Sequence, residues 1–218
     1  MKILPKKRSH QVRFLILISI MGGLLLYFFI LPYIYYVQYE PESGDIVFQS
    51  LPNVSDLVKA IEGVTGSPYS HCGVVVYKDR KWQVIEAIGN VHYTDLYIWI
   101  RRGRWSKFSA FRLNDKYKKE IDKFIESMEE FLGRPYDFRY RLDDEYIYCS
   151  ELVYKGFKTA TGEELGSLVK LKDLNWEPYT ETINKYEGSD TIPLDREIIT
   201  PRDLAKAEQI KEIYNNGM

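Results

Sequence analysis

From Phe14 to Val37 the chain runs for 24 residues without a charge, FLILISIMGGLLLYFFILPYIYYV. About 20 apolar residues in a helix cross a bilayer core, so the pattern predicts one transmembrane helix over 14–37. Pro32 is expected to kink or end it near the interface. Tyr33, Tyr35 and Tyr36 stand where an interfacial aromatic belt would. The alternative is a cleaved signal peptide. Such a peptide has a short apolar core and an A-x-A-like site, whereas this run is long and no Ala precedes Ala60. No Cys precedes Cys72, which argues against a lipoprotein anchor.

Beyond the apolar run the pattern changes to short alternating segments, read as one domain over 40–218. GDIVF (44–48) predicts a strand. Ser55 can cap a short helix through Glu62, with Leu57, Val58 and Ile61 on one face. HCGVVVY (71–77) and WQVIEAI (82–88) flank the turn-like KDRK and predict a hairpin. SAFRL (109–113) reads as a further strand. Residues 117–132 carry apolar side chains at helical spacing and stop at Gly133. A second helix is expected from Cys149 to about Ala160, with Gly162 beyond it. The last is expected from Thr200-Pro201, with Ile210, Ile213 and Tyr214 extending its apolar face. The sum is an α+β domain, a small antiparallel sheet packed with helices.

Composition narrows the function classes. Hydrophobic residues at 45% and charged residues at 28% exclude wholesale disorder. The formal charge is −1, but residues 1–39 hold five basic side chains and no acid, leaving 25 basic and 31 acidic residues beyond them, a net of −6. A domain of that sign has no general attraction for nucleic-acid phosphates. The basic tail over 1–13, which includes His10, predicts a cytoplasmic N-terminus and an extracytoplasmic domain. Two cysteines, Cys72 and Cys149, exclude a disulfide scaffold and a four-thiolate zinc site. With no H-x-x-x-H or C-x-x-C pair, no metal is expected.

Strand geometry selects the candidate chemistry. In a hairpin with an even-length loop, paired positions sum to an odd number and share a face. His71 and Glu86 then project from one face, directly opposite or one diagonal step apart. Gly73 leaves room on that face for another element. Cys72 points to the other face, so the thiol expected to meet His71 is Cys149, at the start of an amphipathic helix. A helix N-terminus and a nearby imidazolium both favour a thiolate, and the helix offers N–H groups to a developing oxyanion. Glu86, between Ile85 and Ala87, needs a partner in an apolar strand, and His71 is the obvious one. Each residue alone has a plainer reading: a cysteine as a small buried hydrophobe, a histidine as a satisfied strand residue. A Cys72–Cys149 bridge is opposed by the predicted faces. His92 is a rival base, expected to be solvated or at the substrate edge. Arg101, Arg102 and Arg104 are a solvated loop or a site for an anionic headgroup or substrate carboxylate.

The order of these pieces resembles a known family. GDIVF (44–48), SHCGVVV (70–76), VIEA (84–87), FLGRPYDF (131–138), YCSELVY (148–154) and ITPRDL (199–204) occur in the order of the circularly permuted NlpC-type papain-like hydrolases, the YiiX-like group. The resemblance implies a permuted papain-like fold and a Cys–His–polar triad that carries over to Cys149, His71 and Glu86. It also implies acyl transfer through an acyl-enzyme on a small peptide, an N-acyl amino acid or a lipid, a reaction that requires no cofactor. NlpC-type relatives often have DCSG where this chain has YCSE; Tyr148 or Tyr146 could donate to the oxyanion there. Asp137 is expected to fix a turn. A catalytically silent binding module is the reading from a different class.

Overall fold

The structure, a computed structural model, describes residues 6–53 and 55–218, so the basic tail expected over 1–13 lies partly outside the described residues. A long helix opens the chain: α1 (Lys6–Leu25), a π-helical turn (Leu26–Ile30) and α2 (Leu31–Gln38). There follow β1 (Ile46–Gln49), α3 (Asp56–Thr65), β2 (His71–Lys78), β3 (Lys81–Ile88), β4 (Asn90–Asp95) and α4 (Leu96–Arg102). Next come β5 (Phe108–Leu113), α5 (Ile121–Glu129) and α6 (Cys149–Thr161). The last are β6 (Val169–Lys170), α7 (Thr180–Glu187), β7 (Glu197–Ile198), α8 (Pro201–Ala205) and β8 (Ile210–Asn215).

Pro32 distorts the first helix rather than ending it. It lacks an N–H and crowds the carbonyl four residues back, and the wider π turn just ahead of it absorbs the mismatch. The helical run His10–Gln38 is apolar and long enough to cross a membrane. Its junction with the domain is pinned. Tyr39 is buried and donates its hydroxyl to Asp45 at 2.6 Å. Asp45 in turn receives Arg112 of β5 at 2.7 and 2.9 Å.

The main sheet has the order β4-β3-β2-β1-β5-β8, and all its pairings are antiparallel. Alternation gives it two buried faces. Cys72, Val74, Ile46, Phe48, Ile85 and Ala87 face α5 and α6. Val47, Val75, Val84 and Ala110 face Trp99, Leu96 and Ile100 of α4. Gly156 lets α5 and α6 approach closely, since a Cβ there would stand 2.4 Å from Met128. A short second sheet pairs β6 with β7.

Three sequence expectations are corrected. Residues 210–215 are not the end of the last helix: α8 stops at Ala205, and Ile210–Asn215 forms β8 on the edge of β5. Ile210 and Ile213 at i, i+3 imitate a helical stripe, yet Ile213 is exposed. The helix expected over 117–132 begins as a 3-10 segment, Asp115–Glu120, and is α-helical only over Ile121–Glu129. The space expected beside Gly73 is filled by its own neighbour strand, for a Cβ there would meet Val84, the Ile85 carbonyl and Glu86 Cβ at 2.5, 2.8 and 3.2 Å.

Candidate active site

The register Gly73↔Glu86 sets His71 one diagonal step from Glu86. With no side chain at Gly73 in the way, the carboxylate lies across the strand, and His71 Nε2 meets Glu86 Oε2 at 2.5 Å. Trp99 Nε1 donates to the same oxygen at 3.0 Å, and Arg102 also pairs with it. Thr94 donates to Oε1 at 2.5 Å. Trp99 and Arg102 come from α4 and Thr94 from β4, two elements the sequence pattern does not announce. Glu86 is wholly buried, and burial pushes its carboxyl upward; pairing with His71 and Arg102 outweighs that and holds it at about 2. It is a fixed anion.

Burial lowers the His71 pKa, but hydrogen bonding to Cys149 and to Glu86 reverses the balance and lifts it to about 9. With Nε2 occupied by Glu86, Nδ1 is the ring nitrogen left for the sulfur. Cys149 is held well below the ordinary thiol range, first by a hydrogen bond from the Cys72 thiol, then, against the cost of burial, by His71. The Cys72 thiol itself is pushed well up by burial. The expected separation of Cys72 from the site is therefore corrected. Cys72 and His71 do occupy opposite faces, but Cys149 touches both.

The backbone explains how. Val75 of β2 exchanges both its bonds with the β1 side, through Gly44 N–H at 2.9 Å and the Asp45 carbonyl at 2.8 Å. Even-numbered residues of β2 thus turn their amides toward β3. Pairing with β3 begins only at Gly73↔Glu86. The Cys72 N–H falls past the end of that ladder and hydrogen-bonds Cys149 instead. The sulfur sits where the two strands part, within reach of both faces.

Cys149 is the first residue of α6, where the helix dipole favours an anion. Glu151 closes the cap by accepting from Tyr148 N–H at 3.2 Å. Ser150 donates to the Ile199 carbonyl at 2.8 Å, and Ile199 N–H donates to the Tyr148 hydroxyl at 3.1 Å. That last bond turns Tyr148 toward the segment before α8. Tyr146 is half-buried and lines an outer groove with Asp137, Arg141 and Lys185.

The tyrosine that hydrogen-bonds Cys149 is Tyr136. Its hydroxyl also meets that of Tyr140 at 3.1 Å, and burial raises both phenols. Its place in GRPYDF was the available signal, since Asp137 beside it accepts Arg139 and Arg141 N–H at 2.8 and 2.5 Å and fixes the turn that presents it. His92 stands opposite Glu86 in β4, is partly exposed, and keeps Nε2 3.9 Å from Oε1. The arginine group divides. Arg102 serves Glu86, and Arg104 is bound to Glu62 at 2.9 and 3.0 Å and to the Leu51 carbonyl. Arg101 is exposed, its guanidinium 6.0 Å from the Phe29 ring centre.

Comparison with known proteins agrees with this architecture. Escherichia coli (strain K12) YiiX is 33% identical over 177 residues, covering 80% of this chain and 87% of YiiX. A crystal structure described as metalloprotein YiiX from Escherichia coli O157:H7, DUF1105, superposes with a TM-score of 0.76 at 32% identity, over 83% of this chain and all of that one. Residues 40–214 match the model of the permuted papain-like amidase enzymes, YaeF/YiiX, C92 family, and the chain belongs to that family.

Proposed function

We propose that this protein is a membrane-anchored cysteine amidase that cleaves an amide bond through Cys149, with His71 as acid and base and Glu86 positioning the ring. The observation that carries this is the arrangement around His71: Nε2 on a carboxylate at 2.5 Å, Nδ1 left for a thiol whose pKa is held low. The Cys149 thiolate attacks the carbonyl carbon, and the oxyanion is met by the Tyr136 hydroxyl and N–H groups at the start of α6. His71 gives its proton to the leaving amine, and the C–N bond breaks. Water, deprotonated by His71, then attacks the thioester and frees a carboxylic acid and the thiolate. A silent binding module would have no use for a fixed imidazolium beside a lowered thiol.

A second reading concerns the substrate. A slot lined by Leu57, Ile61, Val64, Ile183, Tyr186 and Ile199 is almost wholly apolar, and its lining includes Tyr140, whose hydroxyl is 3.1 Å from that of Tyr136. That lining favours an acyl chain, hence an N-acyl amino acid or lipid amide, over a purely polar cell-wall peptide. The relative described as a metalloprotein raises a metal as a third participant. The donor set here does not fit one: among the described residues no three His, Cys, Asp or Glu side chains gather in a metal-binding group, and Glu86 is already bound by four side chains.

The anchor reading rests on the run His10–Gln38, with a cytoplasmic N-terminus inferred from the basic tail. The test is hydrolysis by the full chain in bilayers, comparing N-acyl amino acids of increasing chain length with short γ-glutamyl and D-amino-acid peptides. The expected result is amine release that improves with acyl length and vanishes in Cys149→Ala. Undiminished release by Cys149→Ala would overturn the mechanism, and preference for the short peptides would overturn the substrate reading.

A further inference from the structure

The anchor helix does not lead away from the domain; it lies against α4 and the turn after it. Tyr27 packs edge-on against Trp105 with centroids 5.5 Å apart, and Tyr36 against Tyr97 at 6.1 Å. Tyr97 donates its hydroxyl to the Phe29 carbonyl at 3.4 Å, and Arg101 stands over the Phe29 ring. The junction is rigid because Tyr39, Asp45 and Arg112 lock it to the sheet.

Depth follows from helix geometry. A hydrocarbon core takes about 20 helical residues, and counted from Phe14, just after Arg13, these end near Tyr33. Tyr27 and Phe29 lie roughly 6–9 Å before that boundary at 1.5 Å per residue. Tilt consumes more residues and carries them deeper, not outward. The side chains touching them on the domain are therefore at membrane depth as well. Those side chains suit the place. Trp105 is 61% exposed, and Arg101 can send its charge to the headgroups; Ile98, next to Tyr97 on α4, is itself 44% exposed. Trp105 is held at φ 59°, a backbone region costly for a bulky residue. The turn is fixed in that shape by Arg104, whose N–H donates to the Ser50 carbonyl at 2.7 Å and whose side chain is clamped by Glu62.

We infer that the domain is seated in the bilayer surface, with α4 and the Trp105 turn inserted into the interfacial layer of the leaflet from which the anchor emerges. The occupant of this face is lipid, continuous with the lipid around the anchor helix. Trp99 and Arg102, which hold Glu86, lie on the same short helix, so the site is mounted directly on the membrane-seated element.

This inference rests on the anchor reading, and the test separates the two. The full chain is reconstituted into phosphatidylcholine–phosphatidylglycerol vesicles whose acyl chains carry bromine near the headgroup or near the chain end. Tryptophan emission is expected to be quenched, more strongly by the shallow bromines, and Trp105→Phe should lose most of that quenching. Ile98→Trp in the otherwise wild-type chain should add quenching at the same depth, a gain that does not depend on the Trp105 variant folding. Quenching unchanged by Trp105→Phe and by Ile98→Trp, in a chain that resists alkaline carbonate extraction, overturns the seating and leaves the anchor standing. Release of the chain by carbonate overturns both.

Discussion

Glu86 and Glu151 are both fully buried and both stand within a few residues or one contact of the reactive centre, yet their carboxyls move in opposite directions. Glu86 is held at about 2 and Glu151 is lifted to about 8. Burial pushes each upward. The difference lies in what answers it. Glu86 receives His71, Arg102, Trp99 and Thr94, with two of the four cationic. Glu151 has Lys155 at 2.8 Å and the Tyr148 N–H, too little to offset its desolvation. One carboxylate is an anion that holds an imidazolium. The other is a helix cap that is stable as the neutral acid.

The largest effect is expected at Glu86. Glu86→Gln leaves the His71 and Arg102 charges without their counterion. Breaking such a buried pair costs about 3–5 kcal/mol, read as a lower midpoint in denaturant, and turnover should collapse with it. Next comes Tyr136→Phe, which removes a donor aimed at Cys149. Turnover should fall by roughly 10²–10³-fold while the fold survives. An undiminished rate in that variant would assign the oxyanion to backbone amides alone.

The pH dependence sharpens the contrast further. Glu86 is depressed, so its contribution to stability is present above the ordinary carboxylate range and lost as pH falls through about 2. Glu151 is raised, so its contribution is complete below that range and lost as pH rises through about 8. Glu151→Gln should therefore flatten the stability curve between the ordinary carboxylate range and about pH 8, where the wild type loses stability as this carboxyl ionises. His71 is raised as well: its stabilising effect is full below the ordinary imidazole range and fades as pH rises through about 9. Amide turnover should decline across that same limb, because the leaving amine loses its proton donor. The smallest effect is expected from Tyr148→Phe. It loses the Ile199 N–H bond, about 1 kcal/mol, and keeps its turnover.

Much of this region was legible in the sequence. Odd-sum pairing across the KDRK turn put His71 and Glu86 on one face, and the start of an amphipathic run put Cys149 on a helix terminus. The supporting shell was not. Asn90–Asp95 mixes polar and aromatic residues, and Leu96–Arg102 is under two turns long, so neither shows a clear period, yet they supply Thr94, Trp99 and Arg102. Cys72 lies on the face that alternation assigns it, but its contact with Cys149 is not legible in the pattern, because face alternation says nothing about where a ladder stops, and Cys149 enters at that opening. Tyr136 sits in the turn motif GRPYDF, where the aspartate is the residue with an evident role and the tyrosine carries no pattern of its own. β8 reads as helix because Ile210 and Ile213, three apart, would share a helical face; in the strand they point to opposite faces, and only the uncovered edge of β5 decides.

Whether Cys149 is a thiolate paired with the His71 imidazolium is read out by alkylation of the full chain with iodoacetamide across pH. Wild-type Cys149 should react well below the ordinary thiol pKa of about 8.5, and His71→Ala should return the midpoint to that range. A wild-type midpoint already near the ordinary value, unmoved by His71→Ala, would mean that no such ion pair exists.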